Sequence, residues 1–245
     1  MSDTSEDRFL NGRVVVRQPM RGFRAGLDAV MLAASVPAKP GEQALELGSG
    51  VGTASLCLAH RIADLAITGI EIDAGLVALA NANALANGMD ARLRFLEGDV
   101  FNSPHETHRA FAHAFCNPPF HNEEGETSPV VERTQALQDR GRLAGWIEEG
   151  VKRVAPKGTF TIILRSDRIA EALEALPGQG ICIFPLWPKA GVAAKRVILQ
   201  ARKESHAPLA LLPGLILHAE DGRYTAEADA ILRGGASLAL DSRGL

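Results

Sequence analysis

Aromatic residues make up only 5% of the 245 residues, with one Tyr and two Trp, too few for a stacking platform spread over the surface. Three cysteines, Cys57, Cys116 and Cys182, are too few and too scattered for a disulfide framework or a four-thiolate zinc site, which fits a reducing cytoplasm. No apolar run reaches the ~18 residues of a membrane span, and no basic-then-apolar leader opens the chain at Met1. A cytoplasmic location is expected. The net charge of −3 argues against a coat of basic charge but leaves room for a local basic face. No internal repeat or low-complexity tract is present. At 46% hydrophobic residues the chain can bury one sizeable core.

What the sequence does contain is a rhythm of short apolar runs separated by helix-length periodic segments. Strands are expected at 44–47, 66–70, 93–96, 111–116 and 159–164. Between the second and third, Leu76, Leu79, Ala80, Asn83 and Ala84 recur at helical spacing, and Asn87-Gly88 supplies a stop. Trp146, Ile147, Val151 and Val154 mark a helix before Pro156, and 167–176 reads as a helix capped at Asp167 and ended by Pro177-Gly178. Runs at 181–184 and 196–201 leave no room for a helix between them and should pair antiparallel. The expected fold is therefore α/β: a doubly wound, mostly parallel seven-stranded sheet ending in an antiparallel hairpin. One domain, 1–245, is expected, divided into an N-terminal segment (1–40), a core (41–203) and a C-terminal tail packed on the core (204–245).

Residues 8–24 carry Arg8, Arg13, Arg17, Arg21 and Arg24 with no acid, and residues 186–203 carry Lys189, Lys195, Arg196, Arg202 and Lys203 with no acid. They are either two solvated faces or a contact surface for a polyanion, with Arg17, Arg21, Lys189 and Lys195 the residues singled out.

The first motif with chemistry in it is Ala44-Leu-Glu-Leu-Gly-Ser-Gly-Val-Gly-Thr53, a buried strand running into Gly48, Gly50 and Gly52. Such a turn brings backbone close to a ligand. Thr53 stands where a dinucleotide fingerprint would need its last glycine, which counts against NAD. The second strand ends in Gly69-Ile-Glu-Ile-Asp73, placing Glu71 about 20 residues after the glycines, where a carboxylate accepts from ribose hydroxyls. The third ends in Glu97-Gly-Asp99, with Asp99 placed to accept from an adenine amino group. Three motifs at the ends of three successive strands converge on one crevice. This arrangement, over residues 44 to about 164, resembles the class I S-adenosylmethionine-dependent methyltransferases. The resemblance implies S-adenosylmethionine as cofactor and, facing it, Glu46, Gly48, Ser49, Gly50, Gly52, Glu71, Ile72, Asp99, Val100 and Asn117. No metal is expected, since His105, His108 and His113 straddle a loop and a strand with no cysteine partner.

The fourth strand opens into Asn117-Pro-Pro-Phe120. Two prolines fix the backbone and remove two N–H donors, so the carbonyls around Asn117 and Pro118 are held rigid. The exocyclic amine of a base is a poor nucleophile because its lone pair is delocalised into the ring. The Asn117 side-chain oxygen and the Pro118 carbonyl can each accept one of its N–H groups, and Phe120 can stack on an extruded base. His121 either touches substrate or is solvated. Cys116 has no adjacent base and reads as a small buried residue.

Further segments resemble the bacterial tRNA1(Val) adenine-37 N6-methyltransferase family, from about Arg8 to Ile231: Gly26-Leu-Asp-Ala-Val-Met-Leu-Ala33, Leu164-Arg-Ser-Asp-Arg168, Pro188-Lys-Ala-Gly-Val-Ala-Ala-Lys-Arg-Val197, Pro213-Gly-Leu-Ile-Leu-His218 and Asp221-Gly-Arg-Tyr-Thr225. That resemblance implies that the N-terminal element closes over the cofactor with Asp28 near its methionine end, and that the partner is tRNA. Many members carry Tyr where this chain has Phe120, and Asn-Pro-Pro-Phe-His is also similar to guanine-N2 ribosomal RNA methyltransferases. Protein glutamine N5-methylation and a non-catalytic nucleotide-binding module are the remaining alternatives. The former class places a helical recognition domain before the glycine loop.

Overall fold

The computed structural model describes residues 4–22, 24–119, 143–176, 178 and 180–240, so Phe120, His121 and Pro177 lie outside the described residues. Seven strands carry the main sheet: β3 (Gln43–Leu47), β4 (Ala66–Glu71), β5 (Leu93–Glu97), β6 (Phe111–Cys116), β7 (Val154–Arg165), β8 (Ile181–Trp187) and β9 (Arg196–Arg202). Their spatial order is β5-β4-β3-β6-β7-β9-β8, parallel from β5 through β7, with β9 antiparallel to both β7 and β8. The seven expected strands are all present. The sheet has nine because two-residue strands, β10 (Ala210–Leu211) and β11 (Leu215–Ile216), run parallel along the free edge of β8. Two residues carry no readable periodicity, and pairing with an existing edge is what makes them strands.

Helices cover both faces. α1 (Leu27–Ser35), α2 (Thr53–Arg61) and α3 (Ala74–Ala86) share one apolar cluster with Val14 and Val16 and with the C-terminal α6 (Ala226–Leu232). α4 (Leu143–Arg153) and α5 (Ile169–Ala175) share the other. Alternation along β3 divides its side chains: Ala44 joins the first cluster, while Leu45 and Leu47 join the second. α3 starts where Asp73 accepts from the Gly75 and Leu76 N–H groups at 2.7 and 3.0 Å, and stops at Gly88, whose φ of +66° only glycine adopts freely. In the C-terminal segment the Leu238 N–H donates to the Ala34 carbonyl at 2.8 Å.

Three local expectations differ from the structure. α4 ends at Arg153, and Val154 already belongs to β7. Asp167 does not cap α5: its carboxylate takes the Arg165 guanidinium (Nε at 3.1 Å), and a 3-10 turn at Ser166–Arg168 precedes the helix. Bidentate pairing with an adjacent Arg competes well with a cap. Ahead of the core, β1 (Thr4–Phe9) and β2 (Val14–Pro19) form a separate antiparallel hairpin where the sequence shows mainly arginines.

Candidate active site

The strand order reverses between β3 and β6, which are neighbours although two strands and two helices separate them in sequence. Crevices at such a point, beyond the carboxyl ends of the strands, are where open α/β sheets take ligands. Leu47 pairs with Cys116, so the glycine-rich turn after β3 and the Asn-Pro-Pro turn after β6 leave the sheet side by side. Leu47 of β3 pairs with Ile70, which brings Glu71 to the same rim.

The three glycines serve different needs. All have positive φ, +66°, +52° and +84° for Gly48, Gly50 and Gly52. A Cβ on Gly48 would stand 2.7 Å from the Trp146 ring, and one on Gly52 2.7 Å from the Phe95 ring, so these two allow close packing. Over Gly50 nothing lies within 4 Å. That is the open side of the cradle. The Gly50 N–H donates to Glu71 Oε2 at 2.8 Å and the Asp73 N–H to Glu71 Oε1 at 3.1 Å, so the loop and the end of β4 are tied through one nearly buried carboxylate. Each oxygen keeps a second lone pair for a ligand hydroxyl. Beside it Ile72 is 61% exposed, an aliphatic surface at the crevice that the fold leaves uncovered. Val100 is buried at the end of β5, and half-buried Asp99 accepts the Phe101 N–H with Oδ1 at 3.0 Å.

Glu46 lies beneath the loop rather than on it. Its carboxylate accepts from the Ser55 backbone N–H (3.2 Å) and, through a short bond, from the Ser55 hydroxyl. Complete burial, outweighing those bonds and reinforced by the nearby Glu71 charge, pushes its pKa from 4.5 to about 8. An uncharged Glu46 relieves Glu71 of a buried like charge beneath it. Burial likewise pushes Cys57 up to about 12 and raises Cys116 well above the ordinary thiol range, so neither is a nucleophile. His113 bridges Thr159 Oγ1 (2.8 Å) and Glu42 Oε2 (2.9 Å) in the core, with its pKa lowered by burial. Among the described residues no three His, Cys, Asp or Glu side chains gather as for a metal.

Three buried side-chain oxygens around this crevice have no partner: Ser49 Oγ, Thr53 Oγ1 and Asn117 Oδ1. A buried polar atom left unpaired costs about 1–3 kcal/mol, so polar atoms orphaned in one crevice mark where a ligand supplies the missing bonds. A hydroxyl- and amine-bearing cofactor such as S-adenosylmethionine fits this set: open backbone at Gly50, carboxylates at Glu71 and Asp99, the aliphatic face of Ile72. Asp28, at the start of α1, is ion-paired to Arg196 at 2.8 Å, and Arg196 opens β9 opposite Arg165 at the same edge of the sheet.

The basic residues separate. Lys189 and Lys195 lie exposed in the β8–β9 turn on the carboxyl edge, with Lys189 Nζ 3.3 Å from the Glu220 carbonyl. Arg202 and Lys203, at the opposite edge, hold the carbonyls of Lys157 and of Val151 and Val154. In the N-terminal run Arg8 pairs with Glu6, and Arg24 with Asp7 through a short contact; Arg17 and Arg21 are exposed. β1 thus brings acids onto a stretch that is purely basic in sequence. Sequence reading missed Trp146 and Phe95 as the floor of the glycine turn; their only signal was an aromatic at the spacing of a core position.

The methyltransferase small domain family matches residues 25–171. A protein of Glaesserella parasuis named tRNA1(Val) (adenine(37)-N6)-methyltransferase is 26% identical over 208 residues, spanning 84% of this chain and 86% of its own. One of the same name from Porphyromonas gingivalis is 29% identical over 173 residues, 67% of this chain and 68% of its own. Among solved structures, a predicted O-methyltransferase from Agrobacterium tumefaciens superposes with a TM-score of 0.73 at 24% identity, over 86% of this chain and 98% of its own. A Thermus thermophilus 16S rRNA N2 methyltransferase in complex with AdoMet and guanosine gives 0.57 at 19% identity, over 82% and 50%. The two solved structures share the fold, and the family match spans both the glycine turn and the Asn-Pro-Pro turn. This chain belongs to the methyltransferase small domain family and is an S-adenosylmethionine-dependent methyltransferase.

Proposed function

We propose that the protein methylates the exocyclic amine of a nucleic-acid base, adenine N6 in tRNA. The observation that carries this reading is Asn117 Oδ1, a buried acceptor without a partner at the end of β6, beside the glycine turn. Pro118 and Pro119 follow it and have no N–H to offer. Asn117 Oδ1 accepts one N–H of the amine and the Pro118 carbonyl accepts the other, which favours a pyramidal nitrogen whose lone pair is out of conjugation with the ring and points toward the methyl group. Two acceptors suit an –NH2 group; a hydroxyl, with one proton, would leave one of them unpaired. S-adenosylmethionine, when bound, supplies a methyl group on a positively charged sulfur. Glu71 holds the ribose, Asp99 the adenine amine, Ile72 and Val100 the ring faces, and Gly48, Ser49, Gly50 and Gly52 the remainder, with Asp28 at the methionine end. No general base is needed before transfer, since the amine loses its proton afterwards; positioning carries the rate. Phe120 stacks on the base and His121 lies next to it in sequence. The names of the Glaesserella parasuis and Porphyromonas gingivalis relatives support adenine in tRNA. Residues 1–245 act as one domain, with 1–40 closing over the cofactor and contributing RNA contacts.

Incubating total RNA with labelled cofactor and mapping the modified nucleoside tests this. N6-methyladenosine in tRNA is expected; N2-methylguanosine would replace the base, and labelled protein with unlabelled RNA would overturn the nucleic-acid reading.

Glu71→Ala is expected to weaken S-adenosylmethionine and S-adenosylhomocysteine equally, by about 1.5–3 kcal/mol, because the ribose is common to both and the acceptor is charged. Calorimetry with each ligand checks it, and unchanged affinity for both would move the ribose contact to Asp73.

Arg17 with Arg21, and Lys189 with Lys195, flank the crevice as phosphate contacts. Log RNA affinity should fall with log salt by about 0.7–0.9 per phosphate neutralised. Replacing either pair by Ala should flatten that slope and leave S-adenosylmethionine affinity alone. Unchanged slopes in both double variants would make these residues a solvated surface.

A further inference from the structure

α3 holds two asparagines, Asn81 and Asn83, in a helix otherwise made of Ala, Leu, Val and Gly, and a third, Asn87, caps its C-terminus. Asn is a poor helix former because its amide competes for backbone hydrogen bonds, so two inside one helix and a third at its end call for partners outside it. Each finds them the same way, by pairing both ends of its amide with one backbone residue. Asn81 accepts from the Phe95 N–H (3.2 Å) and donates to the Phe95 carbonyl (3.0 Å) on β5. Asn87 accepts from the Val15 N–H (2.9 Å) and donates to its carbonyl (2.7 Å). Asn83 accepts from the Arg17 N–H (2.9 Å) and donates to its carbonyl (3.0 Å). Residues four apart on a helix rise about 6.0 Å and residues two apart on a strand span about 6.6 Å. The pair Asn83 and Asn87 therefore matches Arg17 and Val15, and α3 serves as the missing neighbour strand for the outer edge of β2.

Asn83 does one thing that Asn87 does not. Its second amide hydrogen goes to the Val51 carbonyl, at 3.0 Å, inside the glycine-rich turn. The other end of that same peptide unit, the Gly52 N–H, donates to the Ser49 carbonyl at 2.8 Å. The peptide between Val51 and Gly52 is thus clamped at both ends, in a turn where Gly52 has a φ of +84° and the chain has little intrinsic preference for that orientation. With a relative exposure of 1%, Asn83 has no water to replace any of these bonds.

We propose that Asn83 is a positioning residue that joins the N-terminal hairpin to the cofactor loop, so that one amide both docks β2 and sets the affinity of the glycine-rich turn for S-adenosylmethionine. The inference rests on the cofactor lying at this turn, not on the base-amine reading. Asn87 supplies the control, since it anchors the same hairpin without touching the loop.

The test is S-adenosylhomocysteine binding by calorimetry to the parent, Asn83→Ser and Asn87→Ser. A dissociation constant raised about tenfold in Asn83→Ser and changed less than about twofold in Asn87→Ser is expected, since tenfold corresponds to the loss of the one buried hydrogen bond to the loop. Equal affinities in the two variants would overturn the proposal. A second measurement needs no variant: in the parent, saturating S-adenosylhomocysteine should slow amide exchange at Arg17, whose N–H rests on Asn83, more than at Val15, whose N–H rests on Asn87. Equal slowing at both amides, or none, would overturn it as well. Neither measurement involves RNA, so a failed RNA methylation assay overturns the base-amine reading and leaves this proposal standing, while equal variant affinities overturn this proposal and leave the base-amine reading standing.

Discussion

Asn117→Ala is expected to slow methyl transfer by about a hundredfold or more, roughly 3 kcal/mol of transition-state stabilisation, while S-adenosylmethionine affinity stays within about threefold of the parent. The fold loses little. Asn117 Oδ1 is buried without a partner, so losing this oxygen costs the fold no bond and relieves an unsatisfied acceptor. Stability should hold or rise slightly. The cost falls on the reaction: without this acceptor only the Pro118 carbonyl is left to hold the amine, and the lone pair returns to the ring. Single-turnover kinetics measure the transfer step and calorimetry measures binding. A loss of cofactor affinity as large as the loss of rate would make Asn117 a cofactor ligand rather than the acceptor for the amine. Asn117→Asp separates charge from geometry, because it keeps an acceptor at the same place and should retain more activity than the Ala variant.

The parallel core is legible in the sequence because each strand is a short apolar run closed by Gly, Asp or Pro, and because the gaps between runs have the length of one helix and its loops. β6, Phe111–Cys116, begins and ends where its sequence pattern does. The strand order is not legible in the same way, yet it is what brings Gly48 and Asn117 together. Nothing in the spacing of 44–53 and 111–119 says that these two turns are neighbours; the register Leu47 to Cys116 does.

The N-terminal hairpin is hidden for a physical reason. β1 alternates between exposed and half-buried positions with no apolar face of its own, and β2 satisfies its outer edge with asparagine side chains instead of a third strand. Sequence periodicity reads Asn83 as one more position on the buried stripe of α3. The burial is right, but the reason for it is three hydrogen bonds rather than apolar packing. The charge of residues 8–24 is likewise legible only as composition, because Glu6 and Asp7 lie before that window, Glu6 pairing with Arg8 along β1 and Asp7 with Arg24 beyond the end of β2.

The second large effect concerns Glu46 and stability. A carboxyl whose pKa is about 8 when folded and 4.5 when unfolded binds its proton more tightly in the folded state. Its contribution is fully present below pH 4.5 and is lost as the pH rises through 8, at up to about 1.4 kcal/mol per pH unit across the window. Above pH 8 the folded protein must hold a buried charge close to Glu71, with only the Ser55 bonds to support it. Glu46→Gln stays neutral throughout and keeps an oxygen for the Ser55 N–H, so it should be close to the parent at pH 5 and more stable than it by several kcal/mol at pH 8.5. Urea unfolding at half-unit steps between those limits reads the difference. His60 and His113, both lowered by burial, contribute with the opposite sign below pH 6.5, but they are common to both proteins and cancel when one curve is subtracted from the other. A parent and a variant whose stabilities run parallel across the window would mean that Glu46 is ionised in the folded protein at neutral pH. The loop would then rest on two like charges, and the single-carboxylate account of Glu71 would have to be given up.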